Sequence, residues 1–357
     1  MNHASVAPLP RPVRDRMVEV IDAIMCNGPR VWGDLDCLHT AARTNAAHLI
    51  NAQPHQIAFL RNTSEALSTV ANGLGWRAGD NIVTTTAEFP ANLYPWQRIA
   101  SAYGCELRAA PERNGLVDIW ELLNLIDGRT RIVTVSWVQF ASGQKLDLRR
   151  IGEFCRNRKV LFVVDGVQGL GALELDVERD RVDAFAAGAQ KYLLGPKGIA
   201  LLYLSERALA EIRPSMIGWT AVKHSEDYRR HELDFRDGAV RFEGGSLNTV
   251  GICGFGEAIK LFLEAGAARI EKHLLSLASH MKTRLAERGY RIASPRCEEE
   301  SSAIVVCGHD RFTAEELCAN LEARNIVTSA RLGRLRIAPH FYNTCAEVDA
   351  LIQALPA

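Results

Sequence analysis

The residues of this chain that could do chemistry together are a lysine and an aspartate that follow two apolar strands. Lys191 lies in the segment 188–196 (GAQKYLLGP), and Asp165 ends the apolar run 161–164. A single lysine is normally a solvated surface charge. Parallel strands, however, present their carboxyl ends at one edge of a sheet, where ligands bind. The two residues therefore predict a pocket that holds an amine and a carboxylate.

An amine and a carboxylate in one pocket suit pyridoxal 5'-phosphate (PLP). This cofactor needs a lysine to hold its aldehyde as an imine, and a carboxylate to keep its pyridine nitrogen protonated so that the ring can accept electrons. Its phosphate needs an anion site. Thr63 and Ser64 join a strand to a helix, where hydroxyls and free N–H groups bind anions. The same segment could instead be an ordinary helix cap with Thr or Ser at the N-cap.

Short β-rich runs alternate with helical patterns between residues 56 and 204. This order predicts a mostly parallel sheet with helices on both faces, and thus an α/β fold. The predicted strands are 57–60, 81–85, 106–109, 130–138, 160–165, 184–187 and 199–204. After residue 207, helical stretches alternate with short strands, which predicts a smaller C-terminal α+β domain. We predict an N-terminal segment 1–20, a large domain 21–245 and a small domain 246–357, on which the N-terminal segment could pack.

The composition argues against several classes of function. Lysine plus arginine and aspartate plus glutamate both number 42 and no basic stripe is present, so nucleic acid is not an expected partner. No run approaches the roughly 18 apolar residues of a membrane span, and no signal peptide is recognisable. The nine cysteines occur singly, which suits a reducing compartment. We expect a soluble cytoplasmic protein without a metal site.

Four longer motifs surround the two residues and extend beyond them. They are 165–169 (DGVQG), 190–198 (QKYLLGPKG), 241–248 (RFEGGSLN) and 336–344 (RIAPHFYNT). With these motifs in this order, the chain resembles the class V aminotransferase family of fold-type I PLP-dependent enzymes over essentially its whole length. That family includes cysteine desulfurases, selenocysteine lyases and isopenicillin N epimerase-like proteins.

The resemblance implies a role for each residue that matches a family motif. Lys191 would form the Schiff base with the cofactor and later carry the substrate proton. Asp165 would pair with the pyridine N–H, and Gln168 would hydrogen-bond the phenolate oxygen. Arg336 matches the arginine that binds the substrate carboxylate, a bidentate task suited to a guanidinium group.

The phosphate site implied by the resemblance is shared between two subunits. Thr63 and Ser64 would bind the phosphate, and Ser246 would reach the same phosphate from a second subunit. A shared site of this kind implies a homodimer. The predicted homodimer therefore depends on the role of Ser246.

The chain departs from the desulfurase pattern at two aromatic positions. Phe89 stands where desulfurases carry a histidine stacked on the cofactor ring; an aromatic face can still stack, but a phenyl ring cannot exchange a proton. Phe140 stands where desulfurases place an asparagine near the cofactor. Asn2 and His3 match a segment that borders the active site in the epimerase-like relatives. We therefore expect Asn2, His3, Phe140 and Arg336 near an amino-acid substrate.

The remaining departure concerns sulfur. Desulfurases carry a nucleophilic cysteine just before the arginine strand, whereas residues 327–336 contain none. We therefore rank transamination first, a β-lyase (carbon–sulfur lyase or desulfurase-like) second and an epimerase third, with a non-enzymatic PLP-binding homologue as the hypothesis from another class. Trp219, His224 and Tyr228 belong to a polar stretch that either covers the site or is a solvated loop.

Overall fold

A sheet of seven strands lies at the centre of the computed structural model, which describes residues 1–356. In chain order the strands are β1 (Ile57–Leu60), β2 (Asn81–Thr85), β3 (Glu106–Ala110), β4 (Glu112–Arg113), β5 (Leu116–Val117), β6 (Thr130–Ser136), β7 (Leu161–Asp165), β8 (Ala184–Gly188), β9 (Ala200–Leu204), β10 (Arg291–Ile292), β11 (Val305–Gly308), β12 (Ser329–Arg331) and β13 (Arg334–Ile337). The α-helices are α1 (Arg11–Asn27), α2 (Trp32–Leu49), α3 (Thr63–Gly73), α4 (Tyr94–Tyr103), α5 (Ile119–Asn124), α6 (Leu148–Asn157), α7 (Glu206–Glu211), α8 (Thr249–Ala265), α9 (Ala267–Glu287), α10 (Ala314–Glu322) and α11 (Cys345–Ala354). None of these helices, within residues 1–356, combines the length and apolar character needed to cross a bilayer.

The large sheet has the strand order β1–β9–β8–β7–β6–β2–β3. The strands from β8 to β3 are parallel to one another, and β9 is antiparallel to both of its neighbours. Strand β9 is therefore the one reversed strand, and the predicted mostly parallel α/β sheet is confirmed. The register places Asp165 of β7 opposite Ser136 of β6 and Ala186 of β8. The carboxyl ends of these three strands thus meet at one edge.

Residues of each central strand alternate between two apolar cores. In β7, Phe162 and Val164 join one core, whereas Leu161 and Val163 join the other. Side chains alternate along a strand, so burial on both sides requires helices on both faces of the sheet. This double burial is the reason that β7 reads as a continuous apolar run.

The C-terminal unit is built on a second sheet of four antiparallel strands, in the order β10–β11–β13–β12. Strands β12 and β13 form a hairpin whose turn is residues 332–333, with φ of 48° and 70°. Positive φ at both turn positions matches the twist of the flanking strands. The register places Ser329 opposite Arg336 and Arg331 opposite Arg334. All four side chains therefore lie on one face of the hairpin.

Helix α8 packs differently from the predicted division of the chain. We assigned it to the small domain, which we placed from residue 246 onward. In the structure α8 packs along α1 and α2, next to the large sheet. Its Phe255 ring meets the Phe59 ring of β1 edge-on, with centroids 6.1 Å apart. By packing, the change from the large to the small unit therefore falls near Gly266, between α8 and α9.

The N-terminal residues connect the two units at the edge where the strands end. The amide of His3 donates to the Ala338 carbonyl, and the amide of Ala338 donates to the Met1 carbonyl, so the chain start extends the small sheet at the end of β13. Two residues beyond Ser5, the amide of Ala7 donates to the carbonyl of Gln190. The first seven residues thus run from the small domain to the segment that carries Lys191.

A buried ion pair holds the connection that precedes Ser246. Arg43 of α2 donates from both Nη atoms to the carboxylate of Glu243, at 2.9 and 3.0 Å. Glu243 also accepts from the Phe59 amide at 2.6 Å, and Arg43 donates to the Ile57 carbonyl. The pair is largely shielded from water, with side-chain exposures of 14% and 6%. It therefore fixes the end of the 3-10 turn Ala239–Phe242 against β1.

We expect Glu243→Ala to lower the free energy of unfolding by about 3–5 kcal/mol, because it leaves a buried guanidinium without its partner. Urea denaturation measures this change. Glu153→Ala removes a carboxylate of the same type from an exposed pair with Arg149 and should cost no more than about 0.5 kcal/mol. Equal losses in the two variants would contradict a structural role for the Arg43–Glu243 pair.

Candidate active site

Asp165 is a carboxylate that the fold buries without fully satisfying it. It ends β7, and 2% of its surface is exposed. Its Oδ1 accepts from the amide of Val167 at 3.0 Å, whereas Oδ2 is buried with no partner among residues 1–356. Burial raises the pKa of Asp165 to about 6, and the amine of Lys191 opposes the shift. The free Oδ2 can accept a hydrogen bond from a ligand N–H.

Lys191 places its amine in the same partly buried region. It follows β8, the neighbour of β7, so both residues leave the sheet at the same edge. Burial lowers the pKa of Lys191 to about 8; the charge of Asp165 opposes this shift, and the charges of Arg336 and Arg331 add to it. An amine with this pKa is partly neutral near pH 7, which a nucleophile or a base requires.

The N-terminus of α3 lies beside the end of β8. The cap of this helix is Asn62, whose Oδ1 accepts from the amide of Glu65 at 2.9 Å. The alternative that Thr63 or Ser64 serves only as the N-cap is therefore wrong. Thr63 Oγ1 instead accepts from the amide of Gly188 at 3.0 Å, while Ser64 is exposed. The first turn of α3 thus presents a hydroxyl and free N–H groups to solvent, a suitable cradle for a phosphate.

Gln168 lies between the β7 edge and the chain start. Its Nε2 donates to the carbonyl of Ala4 at 3.0 Å, and its Oε1 is buried without a partner among residues 1–356. The predicted bond of this amide to a ligand oxygen would have to use the second N–H of the same Nε2. Gln168 therefore joins the N-terminal segment to the pocket and keeps unfilled bonding capacity.

Arg336 is a buried guanidinium without an anion. It is 2% exposed and donates from Nε to Ser329 Oγ at 3.2 Å, from Nη1 to the Phe140 carbonyl at 3.0 Å, and from Nη2 to Ser5 Oγ at 2.9 Å. All three acceptors are neutral, and no carboxylate within residues 1–356 pairs with it. Burial lowers its pKa to about 10, with the charge of Arg331 adding to the shift. A buried cation of this kind calls for an anionic ligand.

Asn2 is linked to Arg336 through Ser5, whereas His3 contacts the residues that follow β13. Asn2 accepts from Ser5 Oγ at 2.9 Å, and that same hydroxyl accepts from Arg336. His3 has both ring nitrogens engaged: Nδ1 bonds the Ala338 carbonyl at 2.8 Å and Nε2 bonds the Tyr342 hydroxyl at 2.5 Å. His3 therefore has no free nitrogen for a ligand and serves to hold the chain start.

Phe89 and Phe140 form an aromatic pair over the amine. Their ring centroids are 5.2 Å apart and the rings are nearly perpendicular, at 77°. Lys191 Nζ lies 5.8 Å from the centroid of Phe89, and 44% of Phe89 is exposed. An exposed aromatic face beside the reactive amine is free to stack on a planar ligand.

Glu88 is the site residue that the sequence analysis missed. Its buried carboxylate accepts from the amide and hydroxyl of Ser136, at 2.8 and 2.6 Å, from Asn92 at 2.8 Å and from Gln139 at 3.2 Å. Burial raises its pKa, and these bonds oppose the rise. Its charge also contributes to the raised pKa of Asp165. Glu88 thus anchors Phe89, the next residue, to the end of β6. The available signal was a single acidic residue in the short connection that follows β2.

Ser246 lies outside this cluster, on an exposed turn before α8. The hydroxyl of Thr220 holds the turn from one side by donating to the Glu243 carbonyl at 2.6 Å. Asn248, the cap of α8, holds it from the other side by donating to the Gly198 carbonyl at 3.2 Å. Trp219 and Tyr228 of the polar stretch are also exposed, at 52% and 76%.

Comparison with known proteins identifies the family. The family model for class V aminotransferases matches residues 2–351. A probable cysteine desulfurase of Methanothermobacter thermautotrophicus is 30% identical in an alignment 384 positions long, gaps included. The alignment covers 99% of this chain and 93% of that protein. The match therefore spans both units of the structure.

Solved structures share the fold. The apo cysteine desulfurase of Thermococcus onnurineus NA1 superposes with a TM-score of 0.90 at 25% identity, covering 98% of this chain and 92% of that one. The cystine C–S lyase C-DES, in a variant with glycine covalently linked to its PLP cofactor, superposes with a TM-score of 0.92 at 23% identity over 99% and 94% of the two chains.

We expect Asp165→Asn to stabilise the cofactor-free protein at neutral pH. Between pH 3.8 and about 6, the unfolded chain loses this proton before the folded chain does, so the folded state is destabilised as the pH rises. Above pH 6 the full cost, roughly 3 kcal/mol, is present in the wild type and absent in the variant. Urea denaturation at pH 4, 6 and 8 should show a gain that grows with pH.

Asp349→Asn provides the control of opposite sign. Its hydrogen bond from His280 lowers the pKa of Asp349, so this carboxylate stabilises the fold above its ordinary pKa. The control should therefore lose stability as the pH rises. A gain for Asp165→Asn that is independent of pH would contradict burial of a charged carboxylate.

The donor set fits PLP at each point that can be tested. Asp165 Oδ2 is free to accept from a pyridinium N–H, the first turn of α3 can bind a phosphate, and the amine of Lys191 lies beside an aromatic face. These features and the match over residues 2–351 lead to one conclusion. The chain belongs to the class V aminotransferase family and is an enzyme that uses pyridoxal 5'-phosphate as its cofactor.

Proposed function

We propose that this enzyme transfers the amino group of an amino acid to a 2-oxo acid, with Lys191 as the group that moves the α-proton. The observation that carries the proposal is the buried guanidinium of Arg336, which pairs with no anion among residues 1–356. The charge of this guanidinium also lowers the pKa of the Lys191 amine. An α-carboxylate would neutralise Arg336 in a bidentate pair. The bound amino acid would then present its Cα near Lys191.

The bound cofactor would supply an aldehyde that forms a Schiff base with an amine and a ring that accepts the electrons of the broken Cα–H bond. Asp165 would hold the pyridine nitrogen protonated, Thr63 and Ser64 would bind the phosphate, and Phe89 would stack on the ring. Gln168 would bond the phenolate oxygen through its second N–H. These assignments are supported by the free Oδ2 of Asp165 and by the exposure of Ser64 and Phe89.

Lys191 is suited to move a proton in both directions. Its pKa of about 8 leaves the ammonium and the amine both populated near neutral pH. When the bound cofactor holds the amino group of the substrate, the neutral amine of Lys191 would take the proton from Cα, and the resulting ammonium would deliver it to the cofactor. Hydrolysis by water would then release the 2-oxo acid and leave the amino group on the cofactor.

The surroundings of Lys191 favour this outcome over epimerisation. Epimerisation by two bases needs a second proton carrier on the opposite side of Cα. Two histidines at the end of the Arg336 strand are engaged: His3 bonds Ala338 and Tyr342, and His340 donates to the Tyr192 carbonyl at 2.9 Å. Burial also lowers the pKa of His340 to about 3, so it does not take up a proton at neutral pH.

A β-lyase is the second candidate, because relatives bear the names cysteine desulfurase and cystine C–S lyase. A persulfide on the protein would need a cysteine ahead of Arg336, and the hairpin there turns on Leu332 and Gly333. The closest cysteine in this sheet, Cys307 of β11, is buried, and burial raises its pKa to about 12. Elimination without sulfur transfer to the protein is therefore the form of lyase that competes with transamination.

The substrate region of the proposal is formed by the chain start and the β6–α6 connection. Phe140 places its carbonyl on Arg336 and its ring against Phe89. Asn2 orients Ser5, which in turn bonds Arg336. We assign Asn2 and Phe140 to positioning Arg336 for the substrate carboxylate, and His3 to holding the chain start on the end of β13.

We also propose that the enzyme is a homodimer, in which Ser246 reaches the phosphate site of the partner subunit. Ser246 is exposed on a turn held at both ends, and the adjacent segment exposes large apolar side chains, Met216 at 57%, Ile217 at 51% and Trp219 at 52%. An exposed apolar patch rimmed by polar residues is typical of a subunit interface. The cytoplasm is the compartment we propose, because all nine cysteines are free thiols.

Three products distinguish the three reactions when the PLP-loaded enzyme is mixed with amino acids. We expect one equivalent of 2-oxo acid per active site, with turnover only after a second 2-oxo acid is added. Ammonia together with pyruvate, without an added acceptor, would replace transamination by β-elimination. Exchange of deuterium at Cα without either product would indicate epimerisation.

Lys191→Ala tests the proton carrier. We expect a loss of about 10²–10⁴-fold in the rate of Cα–deuterium exchange, the usual contribution of a general base. Mass spectrometry of the borohydride-reduced wild type should find the cofactor attached to Lys191. Lys197→Ala removes a nearby lysine of the same segment and serves as the control. Attachment at another lysine would overturn the assignment.

Mixed dimers test Ser246. Loss of its bond to a charged phosphate should weaken cofactor binding roughly 10–100-fold in Ser246→Ala. Mixing Ser246→Ala with Lys191→Ala subunits should restore one normal site per mixed dimer at limiting PLP, because the two residues of that site come from different chains. Light scattering should give twice 39.4 kDa. No recovery on mixing would show that Ser246 does not act across subunits.

A further inference from the structure

A second arginine stands beside Arg336 and is also without an anion. Arg331 lies on β12, on the hairpin face that carries Ser329 and Arg336. Its Nη1 donates to the carbonyl of its own neighbour Ala330 at 2.6 Å, and its Nη2 lies 3.4 Å from Ser5 Oγ. No carboxylate within the described residues pairs with it. The face therefore holds two cations next to each other.

One hydroxyl bridges the two guanidinium groups. Ser5 Oγ accepts from Arg336 at 2.9 Å and from Arg331 at 3.4 Å, and it donates to Asn2 Oδ1 at 2.9 Å. A hydroxyl has one donor and two acceptor positions, so Ser5 is fully used. The two guanidinium groups thus lie within a few ångströms of each other, joined by a neutral atom that offsets none of their charge.

The paired cations act on the reactive amine. The charge of Arg331 contributes to the lowered pKa values of both Arg336 and Lys191. Arg331 therefore faces the site, although it is one strand removed from Arg336. A guanidinium has five N–H donors, and Arg331 uses two of them on protein atoms. The remaining donors can bind a carboxylate in a bidentate pair.

A neighbouring arginine shows that this arrangement is not general for the hairpin. Arg334, opposite Arg331 in the register, donates to the carbonyl of Asn114 at 3.1 Å. It contributes to neither of the lowered pKa values, of Lys191 or of Arg336. Of the two arginines that flank the turn, only Arg331 is thus joined to the site.

We propose that Arg331 forms a second anion subsite and that the substrate is an acidic amino acid, with Arg336 binding its α-carboxylate and Arg331 its side-chain carboxylate. The inference rests on the proposed function for the role of Arg336. A dianionic substrate neutralises both cations, whereas a neutral amino acid leaves Arg331 unpaired beside a positively charged neighbour. Acidic amino acids are therefore preferred over neutral ones of similar length.

Binding of two unreactive probes to the PLP-loaded enzyme tests the subsite. Succinate and butyrate have the same chain length and differ by one carboxylate. Isothermal titration should give a dissociation constant for succinate about 10–100-fold lower than that for butyrate, as expected for one added charge-assisted pair. Arg331→Gln should remove this preference and leave butyrate binding within about 3-fold of the wild type.

Arg334→Gln is the matched control and should keep the succinate preference. Equal affinity of the wild type for the two probes would overturn the inference. So would an Arg331→Gln variant that loses both probes to the same extent, since Arg331 would then act only through Ser5 and Arg336. Turnover of aspartate or glutamate over alanine should follow the same pattern in the three proteins.

The two proposals fail in different ways. An enzyme that transaminates neutral amino acids and binds the two probes equally would retain the proposed function and lose the acidic substrate. A protein that prefers succinate through Arg331 but carries no cofactor on Lys191 would retain the anion subsite and lose the proposed proton carrier.

Discussion

The burial of charge at one edge of the large sheet is the constraint on which the rest of the structure depends. Asp165 and Arg336 are each 2% exposed, and Lys191, whose pKa responds to both charges, is partly buried. In each case burial shifts the pKa towards the neutral form, to about 6, 10 and 8. Charges removed from water without full pairing destabilise the folded chain. Unpaired buried charge at this edge therefore destabilises the fold, and ligands of opposite charge relieve this destabilisation.

Hydrogen bonds between surrounding elements fix the functional groups at this edge in place. Thr63 ties the start of α3 to the end of β8, and Glu88 ties the segment of Phe89 to the end of β6. The first seven residues join the small sheet to the segment of Lys191, and Ser5 among them bonds Arg336. Each contact spans two elements that are distant in the chain. The positions of the site residues thus depend on contacts among the large sheet, the small sheet and the first seven residues.

The short β12–β13 turn bears on the chemistry that this edge can support. The resemblance to desulfurases implies a longer loop with a cysteine nucleophile before Arg336, whereas here two residues close the hairpin. A tight turn cannot deliver a side chain into the pocket. It does hold Arg331 and Arg336 in register on one face, so the region that would carry a nucleophile instead presents positive charge. The relation to desulfurases by sequence and fold is therefore compatible with a different reaction.

The sequence by itself predicted the mostly parallel sheet and its helices, because alternating apolar runs and turn residues are local signals. It also predicted Lys191 and Asp165, since both follow apolar strands, and the family motifs added Arg336. Local patterns could not assign α8, whose apolar faces fit either unit until its packing on α1 and α2 is known. They equally could not show that Asn62 rather than Thr63 caps α3, since either residue type caps a helix.

Three features of the site were decided by the tertiary structure alone. Glu88 acquires its role from donors on β6, His3 loses its free nitrogens to residues 338 and 342, and Arg331 meets Arg336 through Ser5. Each depends on contacts between residues far apart in the chain, and no spacing rule in the sequence encodes such contacts. The sequence thus determined which chemical groups are available and at which strand ends they lie. Folding decided which of them remain unpaired, and unpaired buried groups are the ones that bind ligands.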